Sequence, residues 1–535
     1  MTRQFAIVNN GMTDFRGHYF ENAVAIAEAA VERGFRVALA AHADCDLSDP
    51  DHPLPPGVDV FPLFRLNHWG NLRADRPPGA FGLRGSLAAL QKTPFDAVLA
   101  GSATVDDYLR ARFEPPPEPP APSTRDRLKR AANALVPPVL MRLVRGRHLA
   151  KSLLRELTPP GLWAFAKRGM TPDTPKAHST ASSVEECLVA ALMAAGIEIE
   201  ADLTRQFQAD LDRFLCLTAV GPGDHVYLPT AHGREALAVR RLAAELGDGS
   251  PTFHLVFRHS VSTPAEVDAG TADPFHRDYT AVHRAYFDAV RGFPETPRVR
   301  FYTDTTPLAV DYTALAGLPF DVVPIPFRSG LLPPPKPPDG GPRCVLFLGD
   351  VRGEKGFALL PGLVRDLHET HVRTGRVRFA IQATLHKDES DPVLLAALEE
   401  LAEYPPEQVR LVGRDRFLPG TEYYDLLAAA DVVLCPYRVA NYRSRSSGVL
   451  AEAILSGKPA VVPKGTWLAS ALPDGAGEAF DGPAELAAAV RAVCDDYPAY
   501  RARAAAGRRA WQAYHTAGNL VAQLVGGPPA VADAA

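Results

Sequence analysis

The chain has 535 residues, a length that accommodates two large α/β domains and excludes a small scaffold held together by disulfides. Hydrophobic residues make up 46% of it and charged residues 22%, which excludes a wholly disordered chain. The formal net charge of −5 excludes a generic polyanion binder, and the 50 prolines are about twice the usual share.

The charge is unevenly distributed along the chain. Residues 121–170 contain eleven Lys and Arg residues against only Asp126 and Glu156, so this segment carries +9 and the remainder −14. The six cysteines are scattered without a Cys-x-x-Cys pair, which indicates a reducing compartment and argues against a disulfide framework. The sequence has no signal-peptide core and no run of 18 apolar residues, so we expect a cytoplasmic protein without a membrane-spanning helix.

Short apolar runs alternate with helix-like stretches through the first part of the chain. Such runs are typical of strands that are buried on both faces of a parallel sheet. Between the first two runs, apolar residues recur at helical spacing over residues 21–33, and Gly34 ends this predicted helix. The predicted strands are 5–9, 36–42, 58–63, 96–101, 225–230, 252–258, 298–303 and 320–326.

A stretch with six prolines in its last ten residues, 331–342, predicts a stiff linker. Strand and helix patterns alternate again after it, so we expect an α/β protein of two Rossmann-like domains that face each other across a cleft. These are an N-terminal domain at 1–330 and a C-terminal domain at 343–500, with a C-terminal helix and tail at 501–535. The strands predicted here are 344–348, 378–382, 409–412, 432–436 and 459–462, and the helices are 358–371, 392–403, 422–430 and 448–455.

Residues at about 115–218 break this alternation and predict an insertion in the N-terminal domain. The insertion begins with a polyproline-like spacer and continues with the basic segment, followed by two helical stretches at about 183–218. Within residues 123–168, apolar residues from Val139 to Leu157 fall on one helical face with basic residues opposite, which suits either an anionic membrane surface or packing on the domain. Nucleic-acid binding is not expected, because the segment lacks a recognised motif.

The strand predicted at 344–348 runs into the loop Gly349-Asp350-Val351-Arg352-Gly353-Glu354-Lys355-Gly356. Backbone N–H groups, Arg352 and Lys355 would converge between the end of this strand and the following helix, an arrangement that can hold a diphosphate. A solvated charged turn is the alternative interpretation.

A second polar segment, residues 444–459, surrounds the predicted helix at 448–455. Ser446 and Ser447 can cap this helix, so that amide groups from Gly448 onwards face a phosphate. Glu452 follows about one turn later and can accept hydrogen bonds from ribose hydroxyls. An exposed helix glutamate is the alternative for Glu452.

With the stretches 409–413 and 427–436 between them, these two segments resemble the C-terminal domain of GT-B glycosyltransferases, in the large retaining family that includes mannosyl- and glucosyltransferases. The resemblance covers about 343–500. It implies that the loop with Arg352 and Lys355 binds the donor diphosphate, that Gly413 and Arg414 lie beside the base, and that Glu452 binds the ribose. It also implies a nucleotide-diphosphate sugar as co-substrate, no other cofactor, and transfer with retention to a glycan, polysaccharide or lipid-linked acceptor.

Two positions depart from the family pattern. Asp350 stands where the family usually has an arginine, and Arg352 is our expected substitute. Ser444 stands where the first glutamate of the family's Glu-x7-Glu element falls, and Glu452 is the second. These two departures leave a non-catalytic nucleotide- or sugar-binding protein open as an alternative. A GT-B epimerase or phosphorylase is a second enzyme alternative, although no motif in the sequence supports it.

The N-terminal domain resembles the family less closely. Gly17 and His18 are similar in position to the flexible glycine loop and first helix of that fold, where Gly17 would let the chain approach the donor phosphates and His18 could hydrogen-bond the substrate. His259 follows a predicted strand, where it could accept a proton or orient a hydroxyl beside the sugar–acceptor bond; His232 and Asp304 compete with it for this role. The Asp-x-Asp pattern at 44–46 is too short to indicate a metal site, and we expect none.

Overall fold

The computed structural model describes residues 2–12, 17–43, 45, 55–65, 201–261, 279–327, 330, 332–336, 340–385, 391–414, 416 and 418–526. The strand predicted at 96–101 and the basic segment 123–168 lie outside these residues. No helix in the described ranges is both long and apolar enough to cross a membrane.

Seven parallel strands form the first sheet, in the order β3-β2-β1-β4-β5-β6-β7. Their residues are mostly apolar, and those of β1, β2, β4 and β5 are almost all buried, as expected for strands that helices cover on both faces, whereas edge strand β3 is largely half-buried. The last strand ends at Val322 rather than at the predicted residue 326, because the chain leaves this edge of the sheet there. The strands are β1 (Gln4–Asn9), β2 (Arg36–His42), β3 (Val58–Phe64), β4 (His225–Leu228), β5 (Thr252–Phe257), β6 (Val299–Thr303) and β7 (Phe320–Val322).

The helices described with this sheet are α1 (Gly17–Glu32), α2 (Ala201–Thr218), α3 (Gly233–Leu246), α4 (Tyr279–Arg291) and α5 (Thr306–Ala316). Helix α2 covers the last part of the insertion expected at 115–218. Its apolar side chains Phe207, Leu211 and Phe214 are buried in the same cluster as Phe64 of β3. Residues 201–218 therefore belong to the core of the N-terminal sheet.

Six parallel strands form the second sheet, in the order β10-β9-β8-β11-β12-β13. The five strands predicted for this half are present within two residues at each end, and the short edge strand β13 was not predicted. The strands are β8 (Arg343–Phe347), β9 (Val377–Gln382), β10 (Val409–Val412), β11 (Val432–Leu434), β12 (Ala460–Pro463) and β13 (Gly477–Phe480).

The helices of this second half are α6 (Leu360–Leu367), α7 (Pro392–Ala402), α8 (Gly420–Ala429), α9 (Val439–Tyr442), α10 (Gly448–Leu455), α11 (Trp467–Ala471), α12 (Pro483–Asp495), α13 (Tyr497–Tyr514) and α14 (Ala517–Leu524). Helix α14 returns to the N-terminal sheet. There Leu520 and Val521 are buried beside Ala27 of α1, and Gln523 donates to the Val322 carbonyl at 2.8 Å. The chain therefore connects its two sheets twice.

Candidate active site

The second sheet reverses its strand order between β8 and β11, which are direct neighbours. Loops that leave the carboxyl ends of two such strands diverge and form a crevice, where open α/β sheets bind ligands. Here the two loops are residues 348–357 and 435–447, and they contain most of the predicted diphosphate-binding residues.

Lys355 is buried between the two loops. Its Nζ atom lies 3.1 Å from the Tyr437 hydroxyl and 4.4 Å from the centre of that ring, with the Tyr442 ring at 5.9 Å. Within the described residues, no carboxylate oxygen lies at ion-pair distance from this ammonium group. Burial, with a further contribution from nearby Arg352, lowers the pKa of Lys355 to about 8. A buried cation without an anionic partner is suited to receive an anionic ligand.

Gly356 lets the first loop pass directly against the second. Its φ of +74° is left-handed, and a Cβ atom at this position would lie 1.8 Å from the carbonyl oxygen of Pro436. The Arg438 amide donates to the Glu354 carbonyl at 3.0 Å on the other side of this contact. Only glycine fits here, and this close packing holds Lys355 against Tyr437.

Arg352, the expected substitute for the family's arginine, is held by carboxylates of its own loop. Its guanidinium lies 3.3 Å from Asp350 and 3.4 Å from Glu354, and Arg445 of the second loop lies 3.7 Å from the same Glu354. Asp350 has a left-handed φ of +54° and accepts a hydrogen bond from Gln382 at 2.7 Å. The departure at position 350 thus provides a carboxylate that pairs with Arg352.

The N-terminus of α10 adds backbone donors to the same crevice. Ser447 is the N-cap residue, and its Oγ atom accepts from the Leu450 amide at 3.3 Å. The amides of Gly448 and Val449 belong to the first turn, where no carbonyl of the helix can accept from them. Ser446, the other predicted cap, instead donates to Asp304 at 2.7 Å.

Glu452 lies one turn into α10 and is buried, which excludes the exposed helix glutamate. Tyr423 donates to its Oε2 atom at 2.5 Å and Tyr424 to its Oε1 atom at 3.4 Å, both from α8. Burial and the adjacent carboxylate raise the pKa of both tyrosines, so both remain hydroxyl donors. The two tyrosine hydroxyls therefore hold the Glu452 carboxylate in place one turn into α10.

The two residues predicted beside the base follow β10. Gly413 has a φ of +74°, and a Cβ atom there would lie 2.9 Å from the Thr384 hydroxyl oxygen. Arg414 is exposed at the next position. The carbonyl oxygen of Thr384, which follows β9, accepts a hydrogen bond from the Val351 amide at 2.9 Å. This hydrogen bond connects the turn at Gly413 to the diphosphate loop.

His259 lies at the carboxyl end of β5, on the N-terminal side of the crevice. Its ring stacks on that of His232 with centroids 4.9 Å apart, and its carbonyl oxygen accepts from the Tyr312 hydroxyl at 3.1 Å. The next residue, Ser260, donates to the Asn441 carbonyl of the second crevice loop at 3.5 Å. The structure therefore places both competing histidines together and close to that loop.

Gly17 and His18 are the first residues of α1, and their side chains are outside the described part of the structure. Asp44 and Asp46 of the Asp-x-Asp pattern also lie outside it. Among the described residues, no three His, Cys, Asp or Glu side chains converge as metal ligands would.

Three further residues of the crevice were not predicted from the sequence: Tyr437, Tyr442 and Arg445. The two tyrosine rings pack 4.6 Å apart, and the Arg445 guanidinium lies 5.3 Å from the Tyr442 ring. The sequence did contain an indication of these residues, because aromatic and cationic side chains follow the strand that ends at the predicted crevice. Such side chains can form cation–π contacts.

Comparison with solved structures extends over nearly the whole chain. Sucrose-phosphate synthase from Thermosynechococcus elongatus aligns with a TM-score of 0.54 at 13% identity, covering 98% of this chain and 97% of that one. The chain has the GT-B fold of glycosyltransferases. Residues 390–526 also match a family model described as glycosyl transferase-like. No curated protein sequence matches the chain.

Two further structures with this GT-B fold were solved with ligands. A trehalose-6-phosphate protein from E. coli, bound with UDP-2-fluoro glucose, aligns with a TM-score of 0.52 at 11% identity over 98% of this chain and 100% of that one. HepE from Anabaena, in complex with UDP and glucose, aligns with a TM-score of 0.50 at 12% identity over 98% of each chain. At these identities the similarity establishes the fold and leaves the reaction to be inferred from the site.

Proposed function

We propose that the protein is a glycosyltransferase that moves a hexosyl group from a nucleotide-diphosphate sugar to a glycan, polysaccharide or lipid-linked acceptor, with retention of anomeric configuration. The buried ammonium of Lys355 supports this most directly, since its described neighbours include two tyrosine rings but no ion-paired carboxylate. A donor diphosphate would supply the missing anion. The ligands named for the two structures above, UDP-2-fluoro glucose and UDP with glucose, are of the class proposed here.

The chemistry follows from the charges around the crevice. Departure of a nucleoside diphosphate leaves negative charge on its terminal phosphate, and positioned cations lower the energy of that state. Lys355 supplies a compact charge, whereas Arg352 and Arg445 offer guanidinium groups that can bind two oxygens at once. The first amides of α10 add further donors. Because these groups can neutralise the diphosphate, the proposal requires no cofactor besides the nucleotide sugar.

On the acceptor side, we propose His259 as the group that orients or deprotonates the attacking hydroxyl, with His18 as a second contact to the substrate. His259 lies at a strand end beside the second crevice loop, where an acceptor could meet the sugar. With retention, the hydroxyl attacks from the face that the nucleotide leaves, so no carboxylate nucleophile is needed.

Calorimetric titration with UDP, GDP and ADP tests the donor site. We expect the protein to bind at least one of them, and Arg352→Ala to weaken that binding about tenfold, the value of one charged hydrogen bond. Arg373→Ala is the matched control, because this arginine pairs with Glu369 on the surface of the same domain. Absence of binding to all three nucleotides, or equal affinities of wild type and Arg352→Ala, would contradict the proposal.

A non-catalytic nucleotide-binding protein is the second candidate, favoured by Ser444 and by the carboxylates that hold Arg352. Release of the nucleoside diphosphate from a bound nucleotide sugar separates the two. Turnover in the presence of an acceptor supports the enzyme, and binding without turnover across a panel of acceptors supports the second candidate.

We also propose a cytoplasmic location and contact with anionic membranes through residues 123–168. The high positive charge of this segment in the sequence supports that contact. Deletion of 123–168 should release the protein from vesicles that contain anionic phospholipid, and unchanged partitioning would contradict the contact.

A further inference from the structure

Asp304 is a buried carboxylate that lies where the N-terminal half of the chain meets the second crevice loop. It follows β6 directly, and its side chain is inaccessible to solvent. The next residue, Thr305, caps α5 by accepting from the Leu308 amide at 3.2 Å. Because a strand end and a helix cap flank it, the position of Asp304 is well defined.

Among the described residues, hydrogen-bond and ion-pair partners face only one of its two carboxylate oxygens. Oδ2 accepts from the Ser446 hydroxyl at 2.7 Å and lies 3.4 Å from the Arg258 guanidinium. No group in the described ranges donates to Oδ1, although this oxygen is buried as well. A buried acceptor without a donor is unfavourable, so such atoms often mark places where a ligand completes the hydrogen bonding.

The surroundings of Asp304 indicate which ligand this is. Ser446 lies between Arg445, which pairs with Glu354 of the diphosphate loop, and Ser447, which caps α10. A group covalently attached to a diphosphate in the crevice would therefore lie close to Asp304. In a nucleotide sugar that group is the hexose, whose hydroxyls are hydrogen-bond donors that a carboxylate accepts well.

Ser444 strengthens this assignment. It occupies the position at which the resemblance leads one to expect a glutamate, and its short side chain cannot act as a carboxylate. The Thr305 hydroxyl donates to the Ser444 carbonyl at 2.6 Å. Asp304 therefore directly precedes a residue that contacts Ser444. A carboxylate from the other half of the chain therefore lies near the position at which the loop lacks one.

We propose that Asp304 binds hydroxyl groups of the donor hexose. The proposal rests on the proposed function, since it requires a nucleotide sugar in the crevice. It goes beyond that function by assigning sugar recognition to a residue of the acceptor-side domain. Recognition of the sugar then requires residues from both halves of the crevice.

Paired titrations test this assignment. Affinities are measured for UDP, GDP and ADP and for UDP-glucose, GDP-mannose and ADP-glucose, with wild type and with Asp304→Asn. We expect the variant to bind its nucleoside diphosphate within about twofold of wild type and the matching nucleotide sugar at least about tenfold more weakly. Retained affinity for the nucleoside diphosphate also shows that the variant is folded.

Asp311→Asn is the matched control. Asp311 also connects the two halves of the chain, through Arg443 at 3.5 Å, but it is partly exposed, and within the described part of the chain it has no hydrogen bond or ion pair with Ser446 or Ser447. The Asp311→Asn substitution should leave the ratio of the affinities for nucleoside diphosphate and nucleotide sugar unchanged. If the amide variant does not fold, Asp304→Ser, which is smaller and also uncharged, carries the same expectation.

The outcomes separate the two proposals. If Asp304→Asn lowers the affinities for nucleoside diphosphate and nucleotide sugar equally, or lowers neither, then Asp304 only joins the two halves of the chain. Either result would overturn this assignment and leave the proposed function standing. A wild-type protein that binds none of the six compounds would overturn the proposed function and this assignment together.

Discussion

Replacement of Lys355 by methionine should make the protein more stable and a poorer ligand binder. Burial lowers the lysine pKa from 10.5 to about 8, which corresponds to an energetic penalty of about 3 kcal/mol for keeping the charged form inside. Methionine has a similar length and no charge, so it removes that penalty. It also removes the cation–π contact with Tyr437 and the hydrogen bond from Nζ to the Tyr437 hydroxyl, which together are worth about 2 kcal/mol. We therefore expect the free energy of unfolding to rise by about 1 kcal/mol.

Binding should change in the opposite direction. A diphosphate on Lys355 makes charge-assisted hydrogen bonds, so Lys355→Met should weaken nucleoside diphosphate binding about 10- to 100-fold. A bound anion also favours the charged lysine and raises its pKa, so binding takes up a proton above about pH 8. Affinity of the wild type should therefore fall as the pH rises from 8 to 10.

Denaturant unfolding and calorimetric titration, on the same preparations, provide the measurements. Lys458→Met is the control, because burial lowers the pKa of Lys458 to about 8 as well. Its Nζ atom, however, donates to the carbonyls of Ala428 and Ala430 at 3.0 and 2.8 Å, so this substitution should destabilise the protein and leave nucleotide affinity unchanged. A Lys355→Met protein that is less stable than wild type, yet binds nucleotide equally well, would refute the reasoning.

Three further predictions concern the site and its supports. Gly356→Ala should lower the melting temperature and abolish nucleotide binding, because its Cβ would collide with the Pro436 carbonyl; a normal melting temperature would contradict the packing. Tyr423→Phe should lower the free energy of unfolding by about 1–3 kcal/mol, measured by denaturant titration, because buried Glu452 loses a donor. Burial lowers the pKa of His283 to about 3, so stability should be complete above pH 6.5 and fall below it by up to about 1.4 kcal/mol per pH unit. His283→Phe should reduce the loss of stability between pH 7 and pH 4, measured by melting curves. An equal loss of stability in wild type and variant would contradict the low pKa of His283.

Most strands could be predicted because both sheets are parallel and buried on both faces, so each strand is a short apolar run between turns. Strand β13 was missed since only Phe480 of its four residues is buried. The bounds of α10 were predicted correctly because Ser447 caps it and Gly457 follows soon after its last turn. Local signals of this kind are readable without knowledge of tertiary contacts.

The residues of the site were predictable only where they follow one another along the chain. The loop with Arg352 and Lys355 has a recognisable spacing of glycines and cations. The contact between Ser446 and Asp304 joins residues 142 positions apart, and no pattern in either segment indicates it. For the same reason, the two tyrosines that hold Glu452 come from α8, which the sequence places in a separate element.

Hydrogen–deuterium exchange with and without nucleoside diphosphate tests the central claim, which is that a donor diphosphate lies between the β8 loop and the N-terminus of α10. We predict that UDP, GDP or ADP slows amide exchange in residues 349–357 and 446–450, with no comparable change in α12. Protection confined to other segments, or none with any of the three nucleotides, would contradict the claim.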